Sequence, residues 1–289
     1  MSTLLLLSKK WNINPNMSIQ NTNIIEKVYK KLSIQVSLTG LSFCCFDTLN
    51  DTVTSFNEVH FDTFHKATKI EDLFADAFRD YPELKDSYDD ILVIHNNNLS
   101  TLVPAPLFDE NFLGSYLQYN TKVFKTDFFA FDEIANYEMN AVYIPYVNIN
   151  NFFIDQFGAF DYKHANSILV SKLLVACKNI DDKKMFVHIN SEHFEIIVIQ
   201  NQKLLLFNSF DYNTPEDFLY YILFTAEQLN LNPENFPLEL IGNIDTESDY
   251  FKIAYKYIRN VSLIDVNDLR WNNYFSEAEN RNHFILFNS

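Results

Sequence analysis

One run of residues limits the fold more than any other. Over 183–230 the chain reads KKMFVHINSEHFEIIVIQNQKLLLFNSFDYNTPEDFLYYILFTAEQLN. Apolar residues from Met185 give way to polar ones at Asn190-Ser191 and return at Phe194, which reads as two β-strands joined by a tight turn. A third strand follows over 203–210. Thr214-Pro215-Glu216-Asp217 then opens a helix, with a hydroxyl at the N-cap, proline at the first helical position and carboxylates in the first turn. Phe218, Ile222, Ala226 and Leu229 share one apolar stripe of that helix.

The same plan occurs earlier in the chain. LSIQVSLTGLSFCCFD, from Leu32, aligns without a gap on MFVHINSEHFEIIVIQ, from Met185. Ile34 meets Val187, Val36 meets Ile189, Phe43 meets Ile196 and Phe46 meets Ile199, and both windows turn polar near Ser37 and Asn190. Residues 52–61 supply the third strand. Glu71-Asp72-Leu73-Phe74 matches Glu216-Asp217-Phe218-Leu219, and Thr68-Lys69-Ile70-Glu71 reads as a capping box. Ile91-Leu92-Val93-Ile94 before His95-Asn96 parallels Leu238-Glu239-Leu240-Ile241 before Gly242-Asn243. Strand, strand, strand, helix, strand therefore appears twice, at a period far longer than that of a solenoid. The expected fold is α/β, with two related subdomains, each a mixed sheet of three antiparallel strands followed by helix–strand units. The divisions expected are an N-terminal extension at 1–27, partly poorly ordered, subdomains at 28–140 and 141–266, and a C-terminal segment at 267–289 packed back on the body. No Pro/Gly/Ser-rich linker separates the halves, so they should pack together.

Between and after the copies, 109–119, 148–157, 165–177 and 249–259 read as helices, and 128–131, 141–145 and 260–264 as strands. The apolar run 283–287 reads as a strand or extended arm. The apolar run at 4–7 is too short for a signal peptide and has its positive charges on the wrong side, and no segment approaches a membrane span. Three cysteines without framework spacing, Cys44, Cys45 and Cys177, fit reduced thiols and a cytoplasmic protein. A net charge of −16 argues against nucleic acid and against anionic membranes as partners.

Two such copies resemble the superfamily of actin, Hsp70 and the sugar kinases, each copy an RNase H-like subdomain in an actin-like ATPase arrangement. Through the strand pair over 186–199, Asn208-Ser209-Phe210, the run 214–221 and Leu240-Ile241-Gly242, the chain most resembles an uncharacterised Bacteroidetes family catalogued as domain of unknown function 3822. That family has no established activity, so the resemblance implies a fold and no function. In ATP-hydrolysing members of the superfamily the first hairpin of each half grips phosphate with Asp-x-Gly, where Asp organises Mg²⁺ and Gly admits the phosphate to backbone N–H groups. Here Ser37 and Thr39 hold those positions in the first hairpin, and Asn190 and Glu192 hold them in the second. The Gly-Gly on the adenosine side is reduced to Gly242-Asn243. The resemblance thus implies decayed phosphate loops, no catalytic residues and no cofactor.

Other chemistry is sparse. His188 and His193 flank Glu192, but the spacing is not a zinc motif and falls on a strand turn, so no metal site is expected. His60, His65, His95, His164 and His283 read as scattered. Asp89-Asp90 and Asp181-Asp182 read as solvated loop ends, and Tyr220-Tyr221 and Phe152-Phe153 mostly as core. Asn208, Ser209, Phe210, Asp211 and Tyr212 end a strand where this fold places its cleft; they are candidate cleft or interaction residues, although turn chemistry explains them as well. The expected function is a non-catalytic actin-like scaffold or interaction module, a pseudoenzyme, with a protein partner of unknown identity or a second copy of itself. A divergent nucleotide-binding ATPase or kinase, or a module sensing a small ligand in the cleft, are the alternatives.

Overall fold

A computed structural model describes residues 27–61, 69–134, 136–191 and 193–289. The extension expected at 1–27, apart from its last residue, lies outside the described residues, as do Thr68 of the expected capping box, His65 and Glu192.

Strands β1 (Lys30–Val36), β2 (Gly40–Asp47) and β3 (Thr52–His60) form an antiparallel meander. Helix α1 (Ile70–Asp80) follows, and β4 (Asp90–His95) returns parallel to β1. An inserted lobe comes next: β5 (Ser100–Pro104), the short α2 (Leu113–Leu117), β6 (Ala130–Ile134) and β7 (Met139–Tyr143) make a separate three-stranded sheet. Helix α3 (Val147–Phe157) and β8 (Asp161–His164) complete the first sheet, in the order β3-β2-β1-β4-β8. Helix α4 (Ala165–Ala176) leads to the second copy. There β9 (Lys184–Ile189), β10 (His193–Gln200), β11 (Lys203–Asp211), α5 (Pro215–Gln228), β12 (Pro237–Gly242), α6 (Asp249–Tyr257) and β13 (Asn260–Leu263) build a sheet of order β11-β10-β9-β12-β13. Helices α7 (Glu277–Asn282) and α8 (Phe284–Phe287) end the chain.

The two sheets agree in register as well as in order. Ile34 lies opposite Val93, and its counterpart Val187 lies opposite Leu240. The ladder between the second and third strands slips between Cys45 and Phe46 in one copy and between Val198 and Ile199 in the other, at positions the sequence alignment equates. A β-bulge bends and twists a strand pair, so keeping it keeps the curvature of the sheet.

Strand alternation sorts the core into three layers. One face of the first sheet (Leu32, Ile34, Phe43) packs with Phe74 and Phe78 of α1 and Phe153 of α3. The matching face of the second sheet (Met185, Val187, Phe194, Ile196) packs with Phe218 and Ile222 of α5 and Ala254 of α6. The two remaining faces meet in a shared core, where Phe46, Ile94, Phe186 and Ile199 enclose α4 and α8. Helix α4 is apolar nearly all round because it is buried between the halves.

Several expectations need correcting. Strand β8 pairs with β4, and Phe153 of α3 meets Phe74 of α1 with ring centroids 5.6 Å apart. The first half therefore runs to His164, and no division falls at 140/141. The tail is helical rather than extended: Ser276 and Glu279 form a capping box, and Phe284, Ile285, Leu286 and Phe287 are buried. A short apolar run is ambiguous by itself; the informative signal was Ser-x-x-Glu just before it. The tail does reach the first half, with the Ser289 hydroxyl 2.8 Å from that of Ser33. The helix expected over 109–119 is only α2 preceded by a 3₁₀ turn at Glu110–Phe112. At α1 the N-cap is Lys69, with no side-chain cap bond. Among the described residues no helix is long and apolar enough to cross a membrane.

Candidate functional site

A cleft of about 660 Å³ opens where the two halves meet. The β1–β2 hairpin lines one wall with Gln35, Ser37, Thr39 and Ser42, and the β9–β10 hairpin lines the other with His188, Asn190 and Ser191. Tyr212, Asn243 and Tyr250 close the side of the second half, while Asn96 from the first half and Glu58, His60, Asn282 and His283 complete the lining. Among the described lining residues there is no Lys or Arg.

The residues expected at phosphate-binding positions are occupied with each other. The Ser37 hydroxyl lies 3.1 Å from that of Thr39, donates to the Gly40 carbonyl at 3.2 Å and accepts from the Thr39 N–H at 3.2 Å. The first turn thus satisfies itself, as short hydroxyl residues do in turns. In the second hairpin the Asn190 carboxamide donates to Glu195 Oε2 at 3.0 Å and accepts from Asn96 Nδ2 at 3.3 Å, joining the halves. The Asn190 backbone carbonyl accepts from the Tyr212 hydroxyl at 2.8 Å.

Glu195 is the centre of this arrangement. Hairpin register sets it opposite His188, and alternation puts His193 on the same face two residues earlier. His188 Nδ1 lies 2.9 Å from Glu195 Oε2, and His193 Nε2 lies 3.0 Å from Oε1. All three side chains are buried. Burial works to raise the Glu195 carboxyl, but hydrogen bonding with His188 and His193 outweighs it and holds the group at about 2.

Two more histidines end strands on the first-half side of the same region. His95 Nδ1 accepts from the Tyr146 N–H at 3.3 Å, so Nε2 carries the proton that Asn150 Oδ1 receives at 2.9 Å. His164 Nδ1 accepts from the Asn166 N–H at 3.1 Å, and its Nε2 faces Asn97 Oδ1 at 3.3 Å. Burial lowers His95 to about 4 and His164 to about 3; the charge of His95 lowers His164 further and that of Glu195 opposes this. Behind His164, the buried Asp132 accepts from the Ser167 hydroxyl at 2.6 Å, the His164 N–H at 2.8 Å and the Tyr143 hydroxyl at 3.1 Å. This network ties the inserted lobe to the start of α4. Two of the histidines that read as scattered along the chain, His95 and His164, thus gather at the joint with His188 and His193. The acidic partner is Glu195, which the sequence reading passed over in favour of Glu192. Pairing His188 with Glu195 across the predicted hairpin would have revealed it.

Of the stretch 208–212, the structure brings only the end to the cleft. Tyr212 lines it, and Asp211 receives a bond from Asn98 Nδ2 at 3.4 Å. Asn208 accepts from the Ser209 N–H, and Phe210 stacks on Tyr221 at 4.4 Å, so these belong to the outer edge of the sheet. Gly242 has a packing reason of its own. Its φ is +99°, and a Cβ there would lie 2.3 Å from the Ile189 carbonyl oxygen. Gly242→Ala is expected to cost at least about 3 kcal/mol in urea unfolding, because strain at φ and a backbone clash add. A loss under about 0.5 kcal/mol would show that this contact is not tight. Among the described residues, no group of three or more His, Cys, Asp or Glu side chains is arranged to hold a metal ion.

Comparison with known proteins agrees with this architecture. A Bacteroides thetaiotaomicron protein with an actin-like ATPase fold and unknown function superposes with a TM-score of 0.75 at 22% identity, over 82% of this chain and 91% of that one. The PilM–PilN type IV pilus biogenesis complex superposes with a TM-score of 0.57 at 10% identity, over 89% of this chain and 96% of that one. No curated protein matches the sequence. The duplicated sheets are those of an actin-like ATPase fold. With a family profile matching residues 19–261, the chain belongs to the family described as protein of unknown function, DUF3822.

Proposed function

We propose that this protein is a non-catalytic actin-like interaction module that holds a protein partner. The observation that carries this reading is the use made of Asn190. Where nucleotide hydrolysis needs a carboxylate facing Mg²⁺, this side chain is spent on Glu195 and Asn96 and serves as a joint between the halves. The cleft offers a polyphosphate no Lys or Arg among its described lining, and the ionised Glu195 behind it would repel one. Apolar side chains that could receive a partner stand exposed on the inserted lobe, namely Leu107, Phe112, Tyr119 and Phe124. PilM, of similar fold, is found in complex with PilN; this is an analogy of fold, and fold alone does not fix function.

Calorimetry of the full chain with Mg²⁺ and ATP or GTP is expected to give no saturable heat, and affinity purification from the native cell to recover a stoichiometric partner. Nucleotide binding with a Kd below about 1 mM would overturn the reading. So would repeated recovery of the protein alone.

A further inference from the structure

We infer that the cleft between the halves binds an uncharged polar small molecule, anchored on His188, and excludes phosphorylated compounds. This goes beyond the interaction role proposed above and does not depend on it, since a partner docked on the inserted lobe leaves the cleft open.

The anchor follows from proton accounting. An ionised carboxylate only accepts hydrogen bonds, so the proton of the His188–Glu195 bond sits on Nδ1. In the neutral ring Nε2 then carries a bare lone pair, and among the described residues nothing donates to it. His188 lines the cleft. A buried carboxylate that fixes the tautomer and orientation of an imidazole leaves a pre-aimed acceptor, which is what a hydroxyl or amide donor of a ligand requires.

The remaining lining determines the class of ligand. Gln35 and Asn243 offer carboxamides, each able to donate and accept. Ser42 adds a hydroxyl. The Tyr212 and Tyr250 rings, edge to face at 5.3 Å, add an aromatic wall. The volume, about 660 Å³, falls within the roughly 300–1,000 Å³ typical of small-molecule pockets. Charge supplies the exclusion. The formal charges at the cleft are the carboxylates of Glu58 and, behind His188, Glu195, with no Lys or Arg among the described lining to offset them. A phosphoryl group would lose its water here and gain no cation in return.

The experiment pairs each neutral probe with its phosphate ester. N-acetylglucosamine is compared with its 6-phosphate, and adenosine with adenosine monophosphate, each titrated into the full chain and followed by ligand-observed NMR. At least one neutral member should bind saturably with a Kd near 1 mM or below, and its ester about tenfold more weakly or worse. Bound ligand should also protect His188 from carbethoxylation by diethyl pyrocarbonate, located by peptide mass mapping; this arm needs no variant. Asn243 is exposed at the cleft, so Asn243→Lys should fold normally and bring the ester to parity with the neutral form or better. No binding by either neutral probe at about 10 mM overturns the inference, as do an ester that binds the natural chain as well as its parent, an unprotected His188, or unchanged selectivity in Asn243→Lys.

Discussion

Acidification from pH 7 to about 4.5 is expected to remove about 5 kcal/mol of folding stability, most of what a domain of ordinary stability possesses. The cause is the pair of buried histidines at the joint. Each is held neutral by geometry: at His95 and at His164, Nδ1 already accepts from a backbone N–H, so a second ring proton would point at a donor. Their folded values, about 4 and about 3, lie below the ordinary 6.5. The unfolded chain therefore takes up protons first, and stability is lost as pH falls below 6.5 toward those values. Two units below 6.5, at about 1.36 kcal/mol per unit, each ring costs nearly 3 kcal/mol. His283, lowered by burial, acts in the same direction. Asp132, whose carboxyl burial raises, acts the other way and blunts the loss. Glu195 enters later: its folded value of about 2 means that its contribution persists down to pH 4.5 and disappears only below that. Urea midpoints measured stepwise from pH 7.5 to 4.5 test this, with His164→Gln expected to flatten the slope. Midpoints that hold level between pH 7 and 5 would show that the rings are not buried as described.

The second large effect is expected from Glu195→Ala, about 3–5 kcal/mol at neutral pH. Removing the carboxylate leaves His188 Nδ1–H and one Asn190 amide proton buried without an acceptor, at about 1–3 kcal/mol each before relaxation. Because Asn190 also holds Asn96 across the joint, part of the loss should appear as loosened contact between the halves. Urea unfolding gives the total, and hydrogen exchange at Asn96 and Asn190 gives the local part. Glu195→Gln keeps the shape and one acceptor and should cost clearly less. If Ala and Gln are equally mild, below about 1 kcal/mol, the carboxylate is not the organising group of the joint.

The duplication was legible because it rests on alternation and caps. Ile34 and Val187, or Phe46 and Ile199, occupy equivalent buried positions since a strand face must be apolar wherever it is covered. The hairpin substitutions were legible for the same reason: Ser37, Thr39 and Asn190 do line the cleft, as alignment of the copies requires. What escaped notice depends on contacts between distant segments. His95 and His164 end separate strands, and only the parallel pairing of β4 with β8 sets them side by side. Strand β8, DYKH, is too short and too polar to read as a strand without its partner. The tail misled because four apolar residues in a row carry no period of their own.

Equality of register has a kinetic side. Two sheets with one strand order and one spacing of pairs are two near-interchangeable templates on a single chain. A partly collapsed molecule can offer β4 the edge of β9 in place of β1, and the backbone ladder would close as well. Only side chains distinguish right from wrong, as where Ser33 stands in one copy and Phe186 in the other. Non-local strand pairing is already slow, and look-alike partners add a trap to it. Divergence between the copies thereby helps the chain find its own pairing.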